Sequence, residues 1–251
     1  IYKMKSNLPL FYYQPNTVPY LEKSLELNKK IFKDLIVIKG TDCPEFNNVY
    51  KHMCYNADMF ERLCFIRFFK ILEYVKENNI DKFLYCDSDA VFLVPLDFES
   101  ILDKEKCVAC RPEQQDKFED VTCAHFSIWT RDGLEDFCNY IIDVYTNNID
   151  ILLPKWEWHM ETKTGGGICD MTVMYHWYKG SKNLYSINGG AFDRGIGMPQ
   201  NNIPDEYEMK GGIKRLRKID NQIFGTNYND ELVQFFGLHF QGDKKNYMYS
   251  L

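Results

Sequence analysis

Phe83-Leu84-Tyr85-Cys86-Asp87-Ser88-Asp89-Ala90-Val91-Phe92 is an apolar run interrupted at its middle by two acids. The tetrad Phe83 to Cys86 is uniformly apolar, which predicts a strand covered on both faces, as in a mostly parallel sheet. Open α/β sheets bind ligands at the carboxyl ends of their strands, and Asp87-Ser88-Asp89 stands at such an end. Two carboxylates one residue apart between apolar flanks repel each other and lose hydration. The stretch therefore predicts a buried hairpin that needs a cation. A divalent metal is the simplest one, and oxygen ligands suit Mn²⁺ or Mg²⁺.

Working outward, Leu10 to Tyr13 predicts a strand, residues 19–32 a helix, and Leu35 to Ile38 a second strand stopped by Gly40. That is a βαβ opening. Asp58 with Glu61 reads as a capping box, and Phe60, Leu63, Cys64, Phe68, Ile71, Leu72 and Val75 follow at helical spacing until Asn78-Asn79. Arg67 falls inside this apolar stripe, where it either snorkels out along the helix or turns inward and must find an anion, a site carboxylate such as Asp87 or the phosphate of a ligand.

Downstream, strands are expected at 107–111, 126–130, 184–187 and 234–240, with a helix over 134–145. Gly165-Gly166-Gly167 should open a further helix over 168–178, and the Gly/Asn-rich stretch 189–229 reads as a long irregular excursion. Near the end, Leu238-His239-Phe240-Gln241-Gly242-Asp243-Lys244-Lys245 places a His at a strand end, then a Gly, then a Lys. Such a His can add a nitrogen ligand to the two acids. The Gly lets backbone approach closely, and the Lys can meet a phosphate.

Together, Arg67 on its helix, the strand ending in Asp87-Ser88-Asp89, and His239-Phe240-x-Gly242-x-x-Lys245 resemble the nucleotide-sugar glycosyltransferases of the GT-A fold. The similarity is greatest to the glycogenin-like and bacterial lipopolysaccharide galactosyltransferase-like group. The resemblance implies an α/β fold with a mixed, mostly parallel central sheet and helices on both faces, using a nucleoside-diphosphate sugar donor and a carbohydrate acceptor. It implies Asp87, Asp89 and His239 as Mn²⁺ ligands, with Arg67, Ser88, Gly242 and Lys245 on the donor side and Lys245 at the diphosphate. Fold analogy places the nucleotide base near Tyr12, Tyr13, Thr41 and Asp42. The group's Asn-Ser-Gly and Asp-Gln-Asp segments are replaced here by Ala124-His125-Phe126-Ser127 and by Gly166-Gly167-Ile168-Cys169-Asp170-Met171. The resemblance therefore fixes neither the sugar nor the stereochemistry.

Asp170, in the first turn of a helix opened by glycines, is the expected base for the acceptor hydroxyl or a sugar contact, with Glu157 and Asp193 next in line. Trp156-Glu157-Trp158-His159 reads either as an acceptor platform or as core packing. The basic stretch from Lys210 to Lys218 reads as a solvated face or as a steering patch for an anionic donor. Two rival functions are a nucleotidyltransferase acting on sugar phosphates and a non-catalytic nucleotide-sugar or carbohydrate-binding module. The first would need a basic Gly-rich loop after its first strand, which Leu10-Phe11-Tyr12-Tyr13-Gln14-Pro15 does not offer.

Composition bounds the rest. At 251 residues, with 45% hydrophobic and 26% charged residues, the chain can bury a substantial core, and one catalytic domain over 1–251 is expected. Thirty basic against 36 acidic side chains give a net charge of -6, which argues against a nucleic-acid partner. No apolar run reaches the roughly 18 residues a membrane-spanning helix needs. Nine cysteines without a spaced framework read as reduced thiols in a cytoplasmic, reducing compartment, and Cys107 with Cys110 lacks a second pair for zinc. The opening at Ile1 fits an excerpt of a longer protein.

Overall fold

In a computed structural model describing residues 5–113, 115–202 and 205–251, the first strands form where the apolar runs predict them. These are β1 (Leu10–Tyr13), β2 (Leu35–Ile38) and β3 (Lys82–Cys86). With β5 (Cys107–Cys110) and β6 (Cys123–Thr130) they make a five-stranded sheet in the order β2-β1-β3-β6-β5. β1 pairs in parallel with β2 and β3, while β6 runs antiparallel to both β3 and β5. The sheet is mixed, with a single reversed strand.

Alternation along each strand explains why both faces are covered. Phe11, Tyr13, Phe83 and Tyr85 enter one core, which is closed by α3 (Asp58–Glu77), α5 (Arg131–Thr146) and α7 (Asp170–Trp177). Leu10, Tyr12, Leu84 and Cys86 enter the other, against α1 (Pro19–Asn28) and α4 (Phe98–Leu102). Short helices α2 (Pro44–Asn47) and α6 (Leu153–Thr162) complete the first layer. The α/β class, the mixed sheet and the helices on both faces are as expected.

Several expectations need correction. Residues 83–92 are not a hairpin, because β4 (Ala90–Phe92) leaves the first sheet and pairs with β14 (Leu232–His239). The acidic triplet is thus the crossover between two sheets. The helix expected over 19–32 stops at Asn28, whose buried amide donates to the Tyr12 hydroxyl at 2.6 Å while its oxygen accepts from Phe92 N at 2.8 Å. The capping box does not form. Ala57 is the N-cap, Asp58 pairs with Arg62, and Glu61 accepts from Asn56. No strand spans 184–187; that stretch makes isolated bridges, and β7 (Gly190–Phe192) follows it.

The Gly/Asn-rich excursion is also more ordered than expected, with residues 203–204 outside the described part. It contains β8 (Gln200–Asn202), β9 (Asp205–Glu206), β10 (Met209–Lys210), β11 (Ile213–Lys214), β12 (Leu216–Ile219) and β13 (Gln222–Thr226). Two of its turns close hairpins: Gly211-Gly212 and Asp220-Asn221 all have positive φ, between 48° and 77°. The second sheet, β12-β13-β14-β4 with β7 on β14, stands beside the first. No described helix is long and apolar enough to cross a membrane, and all nine cysteines are free thiols.

Candidate functional site

A cavity of about 1090 Å³ opens at the seam between the two sheets, lined by the carboxyl end of β3, the Arg67 face of α3, the start of α7 and the chain after β14. Asp87, Asp89 and His239 each place a potential ligand atom there, all within 4.8 Å of one another. β14 pairs with β4 in a register that sets His239 opposite Ala90, and Phe240 N donates to Asp89 O at 2.9 Å. The strand pairing therefore brings residues 87–89 and 239 together across 150 positions of sequence.

Arg67 reaches inward, one of the two courses its place in the stripe allows. One of its nitrogens donates to Asp87 Oδ1 at 2.7 Å and to the Tyr85 hydroxyl at 3.0 Å, and the other pairs with Asp170. Tyr85 itself donates to Asp87 Oδ1 at 2.7 Å. On the other side, Lys245 lies 2.9 Å from Asp89 Oδ2 and His239 Nε2 lies 3.4 Å from Oδ1. Burial raises the Asp89 pKa, but His239 and Lys245 outweigh it and hold the carboxyl well below its usual range.

Two histidines support this arrangement. His239 Nδ1 is 3.0 Å from the Arg194 carbonyl, which can only accept, so Nδ1 carries a proton and Nε2 is the atom that faces the acids; burial lowers the ring's pKa, but Asp89 outweighs it and raises it. His125 stacks on His239 with ring centroids 4.3 Å apart, and burial pushes its pKa well down, leaving a neutral neighbour. Two carboxylates and one imidazole are a hard-to-borderline donor set that suits Mn²⁺ or Mg²⁺. The 3.4 Å separation of Nε2 from Asp89 Oδ1 is close to the ~3 Å between adjacent ligands of an octahedral ion with ~2.1 Å bonds. The residues fit a divalent metal.

Other sequence candidates fall elsewhere. Tyr12 is fully buried and hydrogen-bonded within the α1 layer, and Thr41 and Asp42 are exposed away from the cavity, so none of the three lines it. Tyr13 does line it, its hydroxyl donating to Gly40 O at 2.7 Å. Ser88 donates to Gln14 at 2.6 Å, and Gly242 lies at the rim with φ +60°. Asp170 is buried and held by Arg67. Burial raises its pKa and Arg67 opposes only part of that, so the residue expected as the base stands in an ion pair with Arg67. Asp193 is fully buried against Lys214 at 2.7 Å, where its other oxygen accepts from His239 N. Lys214 is accordingly structural and no part of a solvated face. Glu157 is exposed on α6, outside the cavity lining, whereas Trp158 and His159 line it.

Sequence reading missed Tyr85, His125, Tyr20 and Glu61. Period-two alternation could have found Tyr85, because it shares a face of β3 with Asp87. Tyr20 holds Lys245 over its ring at 5.0 Å from α1, a pairing with no local signal.

No family model matches this chain, and neither does any curated protein. Among solved structures, a glycosyltransferase involved in glycosylation of the major capsid of PBCV-1 matches at 10% identity, covering 97% of this chain and 99% of that one, with a TM-score of 0.49. The galactosyltransferase LgtC in complex with donor and acceptor sugar analogs matches at 12% identity over 70% and 72%, with a TM-score of 0.42. Mouse xyloside xylosyltransferase 1 matches at 7% identity over 67% and 79%, with a TM-score of 0.41. These likenesses are too slight to carry an argument about function, which rests on the site itself.

Proposed function

We propose that the chain is a metal-dependent glycosyltransferase of GT-A type that moves a sugar from a nucleoside-diphosphate sugar to an acceptor hydroxyl. The observation that carries this reading is the Asp87, Asp89 and His239 cluster, within 4.8 Å, in an open cavity beside Lys245. The charge count supports it. Asp87, Asp89 and Asp170 set three carboxylates against the guanidinium of Arg67 and the ammonium of Lys245, one more than those two cations match. A bound divalent cation turns that into a net positive site, which suits a diphosphate.

Asp87, Asp89 and His239 would hold the metal, which when bound supplies positive charge against the departing diphosphate. Lys245 stands on Asp89 and can turn to a phosphate oxygen once other positive charge neutralises that acid. Arg67, fixed between Asp87 and Asp170, keeps the Asp87 carboxylate oriented without spending its own charge on the ligand. Asp170 acts through Arg67 as a positioning group.

Calorimetric titration tests the reading. Mn²⁺ should bind the parent protein, UDP, GDP or ADP should bind only with Mn²⁺ present, and Asp89→Ala should lose both while retaining its fold by circular dichroism. Metal-independent nucleotide binding, or unchanged Mn²⁺ affinity in Asp89→Ala, would defeat it. Turnover separates the rivals. Release of nucleoside diphosphate from a sugar nucleotide supports transfer, release of pyrophosphate from a nucleoside triphosphate supports nucleotidyl transfer, and binding without release supports a module.

A further inference from the structure

The same cavity extends past Asp170 to a wall formed by residues 54–64 and the glycine loop 165–167, which the metal and diphosphate reading leaves unused. In this wall Glu61 is 2% exposed. One oxygen accepts from Asn56 Nδ2 at 2.7 Å and from the Cys54 thiol at 3.5 Å. The other, Oε2, is buried without a partner although the side chain lines the cavity. The other buried acids of the lining are paired with cations: Asp170 with Arg67, and Asp89 with Lys245. Among the described residues, no cation pairs with Glu61.

A buried carboxylate oxygen without a donor costs about 1–3 kcal/mol unless a ligand supplies one. The surroundings indicate which ligand. Phe60, next to Glu61, lines the cavity while 58% exposed, and Trp158 lines it too. Aromatic faces beside a lone acceptor suit a polyhydroxylated ring, which offers C–H faces and hydroxyl donors together. The wall is also held in place. Tyr55 N donates to Gly166 O at 2.9 Å and Ile168 N to Met53 O at 2.7 Å, which ties residues 53–55 to the glycine loop before any ligand arrives.

Resting on the glycosyltransferase reading, we infer that Glu61 Oε2 accepts a hydrogen bond from a hydroxyl of the substrate carbohydrate, with Phe60 packing against the sugar ring. Burial, reinforced by the Asp170 charge, raises the Glu61 pKa, consistent with an oxygen that lacks a donor in the free protein. Donor and acceptor sugars share this chemistry, and two measurements separate them.

In the first, calorimetry compares whichever of UDP, GDP or ADP the parent binds with the matching glucose, galactose and xylose conjugates, all with Mg²⁺. In the second, saturation-transfer NMR measures methyl glycosides of the same sugars with Mg²⁺ and the nucleoside diphosphate present. Glu61→Gln should lose at least tenfold in the affinity increment due to the sugar, or in glycoside affinity, and Phe60→Ala at an exposed position should lose several-fold in the same arm. Affinity for Mn²⁺ and for the nucleoside diphosphate should stay within twofold. The arm that changes identifies the sugar. Sugar binding unchanged in Glu61→Gln or in Phe60→Ala, or no sugar response from the parent in either arm, would overturn the inference. A parent that binds no nucleotide defeats the functional reading instead, and the glycoside arm, run without nucleotide, still decides on Glu61.

Discussion

Arg67 shows how much a single residue can reveal. A guanidinium that turns inward from an apolar helical stripe has to meet an anion, and Asp87 was foreseeable as its partner because its apolar flanks mark the triplet as buried. Asp170, 103 residues away, was not. Its place in the sequence gives only a helix start, and nothing local says that α7 packs its first turn against α3. Arg67→Leu fits the stripe but leaves the Asp170 carboxylate buried without its partner, so chemical denaturation should show a loss of about 3–5 kcal/mol. Arg67→Leu with Asp170→Asn should recover part of that. No recovery in the double variant would mean that Asp170 is not the group left stranded. Glu61 gives the opposite case. Its folded pKa is raised above the usual 4.5 by burial, so its contribution to stability is greatest at low pH and falls as pH rises through 4.5 toward the folded value. Glu61→Gln removes that slope. Relative to the parent, its melting temperature should gain at pH 7 and not at pH 4, and parallel profiles would contradict the assignment.

At the scale of elements, legibility followed sequence range. β1, β2 and the body of α3 end where local patterns say, because apolar runs, Gly40 and Asn79 with φ +50° are local signals. Of the second sheet only β14 was legible. The strands from β8 to β13, in that sheet and in the two small hairpins before it, have two to five residues, too few to show a period, and their turn residues resemble a loop until the partner strands are known. The site inherits both halves of this pattern, since Asp87 and Asp89 are marked by their flanks whereas the approach of His239 depends on β14 pairing with β4. The glycine loop before α7 is a further case, expected to open that helix but needed also for packing. A Cβ at Gly167 would sit 2.5 Å from both Cys54 Cα and Met53 O, at φ +144°. Gly167→Ala should therefore destabilise by about 1–3 kcal/mol and raise hydrogen exchange at residues 53–56, the wall that carries Glu61. Unchanged exchange there would mean that the bridge from Cys54 to Gly167 does not fix the wall.

For the molecule as a whole, the question is whether the two sheets act as one unit, since ligands from both meet only if the seam holds. Tyr12, Leu84 and Phe126 of the first sheet share a core with Phe92, Phe192 and Phe236 of the second region. Phe126 is the joint, with its ring centroid 5.1 Å from that of Phe92 and 4.9 Å from that of Phe192. Each such ring contributes roughly 1.5–3 kcal/mol by burial, so separating the sheets would forfeit several of these terms at once. One cooperative unfolding transition is expected. A ligand that binds only the folded state at a hundred times its dissociation constant adds about 2.7 kcal/mol, which for a chain of this length corresponds to about 5–10 °C in melting temperature. Mn²⁺ with the matching nucleoside diphosphate should therefore raise a single calorimetric transition by that amount. Because Asp87 and Asp89 join the sheets and His239 ends β14, hydrogen exchange should slow in β3 and β14 together. Two transitions of which only one shifts, or protection confined to β3, would mean that the seam opens independently of the metal cluster and that His239 is not part of it.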